Sequence, residues 1–342
     1  MRASLPIRRA FAMIRRLRHA FAAVLLLACA AAFAQAVAPD DAALAVLAEQ
    51  ADAGSAEAGE ALEKVAGEGR VLAQYYLGVL YLHGRAVKRN EPLAVEWLTK
   101  AANGGSAEAA HNLGVVYERS RGSLRNPRLA VRWYEVAAKR GLARSQANLA
   151  YLLAEGIGTQ KDVPAALGWL EKAVAQGDAR GQYLLGRMLL LGTALPKDEA
   201  RGQRLLAAAA DGGDIDAQFQ LALAYGNGIG VAKDPVVALR WLRAAAEGGQ
   251  AEAEYLLASS YARGLHGLAK DEAEGVRWLR RSAQAGYPEA QYALGVAYLE
   301  GRGVEKSQAQ AVRWIRAAAE RGHKGAQDLM SRAQQLQQKP SP

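Results

Sequence analysis

The chain has 342 residues, 51% of them apolar but only 7% aromatic, with a formal charge of +9 and one cysteine. A lone cysteine excludes a disulfide framework, and the lack of alternating β-branched stretches excludes a sheet-rich fold. An alanine-rich, aromatic-poor composition suits helices packed closely through small side chains.

Residues 1–36 read as a segment of their own. Arg2, Arg8, Arg9, Arg15, Arg16 and Arg18 form a basic leader without an acid, and an apolar run follows from Phe21 to Phe33. Ala32-Phe33-Ala34 and Ala34-Gln35-Ala36 are both small-x-small cleavage sites, which completes the layout of a secretory signal peptide. The apolar run falls short of the ~20 residues that span a bilayer. The expectation is therefore an exported, periplasmic bacterial protein with no membrane span after signal cleavage; a retained anchor is the alternative. Met13 is an alternative start. Cys29 follows Leu26-Leu27-Ala28, which resembles a lipobox, but the apolar run continues past it to the alanine sites, so cleavage there is favoured over a lipid anchor at Cys29. Without residues 1–36 the formal charge drops from +9 to +3, which removes the compositional support for a nucleic-acid partner.

Residues 40–70 read as a degenerate N-terminal repeat ending at Gly69. From Val71 onward a period dominates. Tryptophan occurs only at 97, 133, 169, 241, 278 and 314, spaced by 36, 36, 72, 37 and 36 residues, with Leu205 inside the double gap. A bulky residue confined to one phase of a fixed period marks one unit copied along the chain. The copies fall at 71–106, 107–142, 143–178, 179–214, 215–250, 251–287 and 288–323, and residues 324–342 read as a C-terminal capping helix and tail.

Each unit predicts two helices. The first carries a tiny residue at one phase, Gly78, Gly114, Ala150, Gly186, Ala222, Ala258 and Gly295, where a neighbouring helix approaches closely. A glycine-containing loop follows, Gly156-Ile157-Gly158 in one unit and Gly301-Arg302-Gly303 in another, ending at Asn90, Asn126, Asp162, Asp198, Asp234, Asp271 or Ser307. All seven are N-cap residues. The second helix then shows an apolar stripe such as Ala94, Trp97, Leu98, Ala101 and Ala102. The 37-residue spacing comes from one extra residue between Arg263 and Lys270, where insertion is tolerated.

The phrases A-x-A-Q-[YF]-x-L-G and W-[LY]-x-x-A-A, with a G-x-G loop and a basic residue before the cap, resemble the Sel-1-like repeat, a relative of the tetratricopeptide repeat. The resemblance covers Val71 to His323 and implies an all-α, right-handed α-solenoid of stacked helix-turn-helix repeats of about 36 residues. The cysteine-rich bacterial members of this family pin each unit with a disulfide, and some are associated with β-lactams; this chain has no cysteine in its repeats. Unit four departs further, with Leu205 for Trp and Leu189 for Tyr, and is expected to be softer.

Catalytic signatures are missing: no G-x-x-x-x-G-K-[ST], no G-x-S-x-G and no H-E-x-x-H. The glycines Gly226, Gly228 and Gly230 recur by period and read as a turn. His83, His111, His266 and His323 lie in different units without ligand spacing. The expectation is no enzyme, no metal and no cofactor. The basic residues Arg89, Arg125, Lys161, Lys197, Lys233, Lys270 and Lys306, one before each cap, read as solvated consensus positions and not as a cationic ladder.

The tetratricopeptide analogy implies that first helices line a concave face, where a ligand meets residues that differ between units. That set includes His111, Tyr183, Phe219 and Tyr255 at one phase, with packing the competing explanation for them. Tyr151 and Arg187 lie one turn on, and Asn227 and Arg263 further along. The functional expectation is a non-catalytic protein-protein interaction scaffold or adaptor in the bacterial cell envelope, with a protein or peptide partner in that face. The alternative is an envelope enzyme or binder acting on peptidoglycan, β-lactam or polysaccharide.

Overall fold

The computed structural model describes residues 40–120, 122–192 and 195–338; the signal peptide expected at 1–36, with Cys29, lies outside them. Helices come in pairs. α1 (Asp41–Asp52) and α2 (Ala56–Gly67) are followed by α3 (Val71–His83) and α4 (Glu91–Asn103), then α5 (Ala107–Arg119) and α6 (Pro127–Lys139). α7 (Ala143–Glu155) and α8 (Val163–Ala175), α9 (Ala179–Leu191) and α10 (Glu199–Asp211), and α11 (Ile215–Asn227) and α12 (Pro235–Glu247) continue the series. α13 (Ala251–Arg263), α14 (Glu272–Ala285), α15 (Pro288–Glu300), α16 (Gln308–Glu320) and α17 (Lys324–Gln338) complete it. No strand occurs among the described residues. The fold is an all-α solenoid of stacked helix-turn-helix repeats.

Two compact units divide the chain, one through Leu113 and one from Gly114. The core of the first is built from Leu44, Leu62, Leu77 and their neighbours. The second carries a succession of cores, the largest around Leu170, Leu185, Leu189 and Leu206. Leu189 and Leu205, the substitutions of unit four, both pack there. Helices of 12 to 15 residues are marginal alone in water. Each therefore depends on the neighbours against which it buries its stripe.

Local chemistry decides where each second helix begins. All seven cap side chains accept a hydrogen bond from the helix they start: Asn90 from Leu93 N, Asn126 from Leu129 N, Asp162 from Ala165 N, Asp198 from Arg201 N, Asp234 from Val237 N, Asp271 from Glu274 N and Ser307 from Gln310 N. Each cap also donates its own backbone N–H to a carbonyl near the end of the preceding helix, as in Asn90 N to Tyr81 O (2.9 Å) and Asp234 N to Tyr225 O (2.9 Å). The loop is thus closed at both ends, satisfying groups that helix termini otherwise leave orphaned.

The indole rings are half-buried; in most units the residue after the ring fills the core. Leu98, Tyr134 and Leu170 are fully enclosed, whereas Trp97, Trp133 and Trp169 keep an edge toward solvent. Cations cover several of the rings, with Lys100 Nζ 4.0 Å from the Trp97 centroid and Lys172 Nζ 4.3 Å from that of Trp169, an arrangement that shields part of the ring. The tiny phase faces these enclosed residues: a Cβ on Gly78 would lie 2.7 Å from Leu98 Cγ, and one on Gly114 would lie 2.5 Å from Tyr134 Cδ1.

Consecutive units are joined by the glutamine of the A-x-A-Q phrase. Gln146 Nε2 donates to Ala138 O, Gln218 Nε2 to Ala210 O and Gln291 Nε2 to Ala283 O, at 3.0 to 3.2 Å. Each bond satisfies a carbonyl at the end of the preceding second helix. Unit six has Glu254 at this phase and no donor there. Instead Arg281 Nη2 donates to Ala246 O (3.2 Å) while its Nε meets Glu254 Oε1 (2.9 Å), so a guanidinium from α14 replaces the missing amide.

Candidate functional site

First helices of neighbouring units touch one another, α1 with α3 and α7 with α9, and the open space of the second compact unit lies along them. One groove, with a volume of about 350 Å³, runs along α13 and α15. Its floor is apolar and small, from Ala258, Ala262, Val276, Leu279, Ala293 and Val296. The 3–4 spacing on each first helix sets these positions on one face. Leu279 takes the phase that is fully enclosed as Leu98 and Leu170, but here it is only half-buried and lines the groove.

The two ends of the groove differ. At one end stand Tyr255, Glu289 and Tyr292, with His323 stacked on Tyr292 at 4.4 Å between ring centroids. His323 Nδ1 accepts from Ala326 N (3.1 Å), so in the neutral ring the proton sits on Nε2. Tyr287 packs on Tyr255 at 5.5 Å. Burial, followed by the charges of Glu252 and Glu289, pushes its hydroxyl up to about 12. At the other end stand Arg263, Glu272 and Arg302. Glu272 is answered by Lys270 (2.7 Å) and Arg302 by Glu300. Among the described residues neither Arg263 nor Glu289 makes an ion pair.

The one extra residue of unit six belongs to this end. The loop that carries it joins Arg263 to Glu272, both groove residues. It holds His266 at φ 56, the only non-glycine with positive φ among the described residues, a conformation costing roughly 1–3 kcal/mol. His266 Nδ1 lies 3.2 Å from Ser260 Oγ, which ties the loop back to α13.

A second groove, about 620 Å³, is polar and lined by Glu118, Arg119, Asn148, Tyr151, Arg180 and Asp214 among others. Its charges are largely answered from within. Arg180 Nη1 meets Asp216 Oδ2 (2.6 Å) and Asp214 Oδ2 (3.5 Å), and the Tyr134 hydroxyl donates to Glu118 Oε2 (2.6 Å). Burial is the main cause that lifts the Asp214 carboxyl above its ordinary value.

The residues singled out from sequence scatter over these features. Tyr255 and Arg263 share the first groove, and Tyr151 lines the second. Arg187 is exposed, its guanidinium 5.8 Å from the Tyr183 ring; it lines a groove of about 520 Å³ with Lys161 and Met188 and meets Tyr151 in a crevice of about 30 Å³. Tyr183 and Phe219 are 5% exposed. These two do not face open space but pack beneath the surface, the competing explanation for their phase. Asn227 ends α11 on the exposed surface and lines neither groove; His111 is half-buried on α5. Sequence reasoning missed Glu289, which reads as an ordinary first-turn acid, and set His323 aside with the histidines that lack ligand spacing. Nothing in the sequence sets these apart, because their role depends on which neighbouring helix they meet.

Among the described residues no group of His, Cys, Asp and Glu is placed to hold a metal ion, and no helix is long and apolar enough to cross a membrane. Outside unit two, where Ser120 replaces the glycine, the basic residues before the caps lie on the αL glycines of their loops: a Cβ on Gly156 would be 3.3 Å from Lys161 Cβ, and one on Gly192 would be 3.3 Å from Lys197 Cβ.

A repeating two-helix unit with residue-specific grooves along its first helices defines an interaction solenoid. The Sel1 repeat profile matches residues 71–106, 107–142, 143–178, 179–214, 215–250, 251–287 and 288–323, and the chain belongs to the Sel1 repeat family. Sel1 repeats are in general protein-protein interaction scaffolds. A Sel1 repeat protein from Oxalobacter formigenes is 31% identical, with a TM-score of 0.58 over 81% of this chain and 80% of that one. The structure of c5321, a protective antigen of uropathogenic Escherichia coli with an SLR fold, is 34% identical with a TM-score of 0.54; the match covers 80% of this chain but only 58% of the antigen. A comparison with curated proteins returns no match.

Proposed function

We propose that this chain is a non-catalytic adaptor of the bacterial cell envelope that holds a protein or peptide partner along the face lined by its first helices. The observation carrying this reading is the division of labour within the repeat. Positions that recur across the units are spent on caps, carbonyl bonds and core. Positions that change from unit to unit, Tyr151, Arg187, Ser259 and Arg263 among them, line the grooves or their rims. Stacking keeps such a surface in place while its lining varies. The envelope setting rests on the leader read from residues 1–36, and its α-amino product after cleavage at Ala36, or a lipidated Cys29, is separable by mass analysis of the mature N-terminus.

The test is photocrosslinking in the native cell from a reactive amino acid at Tyr151 or Tyr255, compared with one at Arg277, an exposed position on α14. Adducts from the first two positions and none from Arg277 are expected. Adducts from Arg277 alone would place the partner on the second helices and reject the reading.

A further inference from the structure

The groove along α13 and α15 is set apart by its charges. Ion pairs elsewhere in it are closed internally, Lys270 with Glu272 and Arg302 with Glu300, so these residues contribute little net field. What remains among the described residues is one unanswered guanidinium, Arg263, at one end and one unanswered carboxylate, Glu289, at the other. Glu252 stands at the phase of Glu289 one unit earlier and acts on the same tyrosine, Tyr287. The acidic end therefore has two carboxylates behind it. Between the ends lies an apolar floor in which Ala258, Ala262, Ala293 and Ala297 alternate with Val276, Leu279 and Val296, leaving room for a main chain to lie along it.

The dimensions follow from the helices. Glu289 is the second residue of α15, and the corresponding position of α13 is Glu252. From that level to Arg263 is eleven residues, which at 1.5 Å per residue is about 16 Å along the groove. An extended chain rises about 3.3 Å per residue, so roughly five residues bridge the two charges. The Tyr255 and Tyr292 rings and His323 line the groove beside such a chain at the acidic end.

We propose that this groove binds an extended peptide segment that carries a basic side chain at one end and a carboxylate about five residues further on, the base against Glu289 and the carboxylate against Arg263. The inference deepens the adaptor reading and rests on it. A guanidinium recognises a carboxylate through paired donors in a fixed fork, so Arg263 supplies specificity as well as charge. The acidic end tolerates Lys or Arg, because Glu252 and Glu289 offer acceptors over a broad area. The inserted residue after Arg263 belongs to the same device: it shapes the loop at the carboxylate end in this unit alone.

The test uses an array of acetylated, amidated alanine-based decapeptides, each with one Lys and one Glu separated by one to eight positions, probed with the fluorescently labelled full chain. With both orders of Lys and Glu on the array, binding is expected to peak near a separation of five and to fall at least tenfold for the Arg263→Glu protein. Replacing the peptide Glu by Lys should restore binding to that variant. Both Arg263 and Glu289 are exposed, so circular dichroism spectra of Arg263→Glu and Glu289→Lys should match the parent. A flat response to separation, or an Arg263→Glu protein that binds like the parent, overturns the proposal. The adaptor reading fails separately, if crosslinks from Tyr151 and Tyr255 are both absent in the cell; crosslinks from Tyr151 alone leave it standing and reject this groove.

Discussion

Gly114 and Tyr134 form a pair whose coupling can be measured. In the other units the corresponding position is Leu98, Leu170, Leu206, Leu242, Leu279 or Ile315; only here is it a tyrosine. Tyr134 is wholly buried, and its hydroxyl reaches Glu118 at 2.6 Å. A Cβ on Gly114 would sit 2.5 to 2.9 Å from three carbons of the Tyr134 ring. The ring is rigid, so it must tilt or the helix must shift. Gly114→Ala gains about 1 kcal/mol in helix propensity but loses about 1–3 kcal/mol to overpacking, for a net loss of about 1 kcal/mol. Tyr134→Leu forfeits a hydrogen bond to a charged group, worth about 1.5–3 kcal/mol, and leaves space beside Gly114. The double variant recreates the alanine-leucine pair of Ala150 with Leu170 and Ala222 with Leu242. There the added methyl fills the space that the ring left, and its propensity gain is realised. Urea unfolding of the four proteins should therefore show a favourable coupling of about 1–2 kcal/mol, the double variant being more stable than Tyr134→Leu alone. Simple additivity, with the double variant losing the sum of the single losses, would refute the close-approach argument for this phase.

Three further outcomes follow from the same geometry. Gly303→Ala should lower stability by more than 2 kcal/mol, because φ is +64 and the new methyl would collide with the Glu272 carbonyl, whereas Gly322→Ala, with φ +90 but open space around it, should show only the conformational cost of about 1–2 kcal/mol; thermal melts separate the two. Gln291→Ala removes the donor to the Ala283 carbonyl in a buried setting and should cost about 1–2 kcal/mol, and Gln327→Ala, which breaks the same bond to Ala319 O on the exposed last helix, should cost less. Glu254 has its carboxyl raised above the ordinary 4.5 by burial, against the opposing pull of Arg281. The folded state therefore holds its proton more tightly than the unfolded chain, so this residue makes stability rise as pH falls through the folded value toward 4.5. Glu254→Gln should flatten that part of the pH profile, measured by urea midpoints, and an unchanged profile would count against the assignment.

Much of the fold was legible in one dimension because its rules are local and repeated. The seven cap residues announced the start of every second helix, and each one accepts the hydrogen bond expected of it. The tiny phase announced a close approach, and the structure supplies its partner in Leu98, Tyr134 and Ile315. The indoles are a partial exception. Their period revealed the repeat, but the following residue fills the core, while the ring lies half out under a cation. A stripe pattern cannot distinguish these, since adjacent residues on a helix differ by only 100° and both fall within a broad apolar face.

The binding face was less legible. Tyr183 and Phe219 share a phase with Tyr255, yet the first two are packed away and the third lines a groove. Phase describes direction relative to one helix; exposure depends on the helix that arrives opposite, and small changes there open or close the gap. The same holds for Glu254 and Arg281, 27 positions apart on the two helices of one unit, whose replacement of a glutamine bond to Ala246 O of the preceding unit is invisible until the helices are packed.

Sequence alone determined that the chain is helical, that its unit is about 36 residues long and where each helix is capped, because those depend on neighbours within a turn or two. Tertiary structure decided which carbonyl each glutamine meets, which aromatic rings remain open and which two charges in the groove go unanswered. Those depend on contacts between units, and a period specifies that such contacts recur without specifying what fills them.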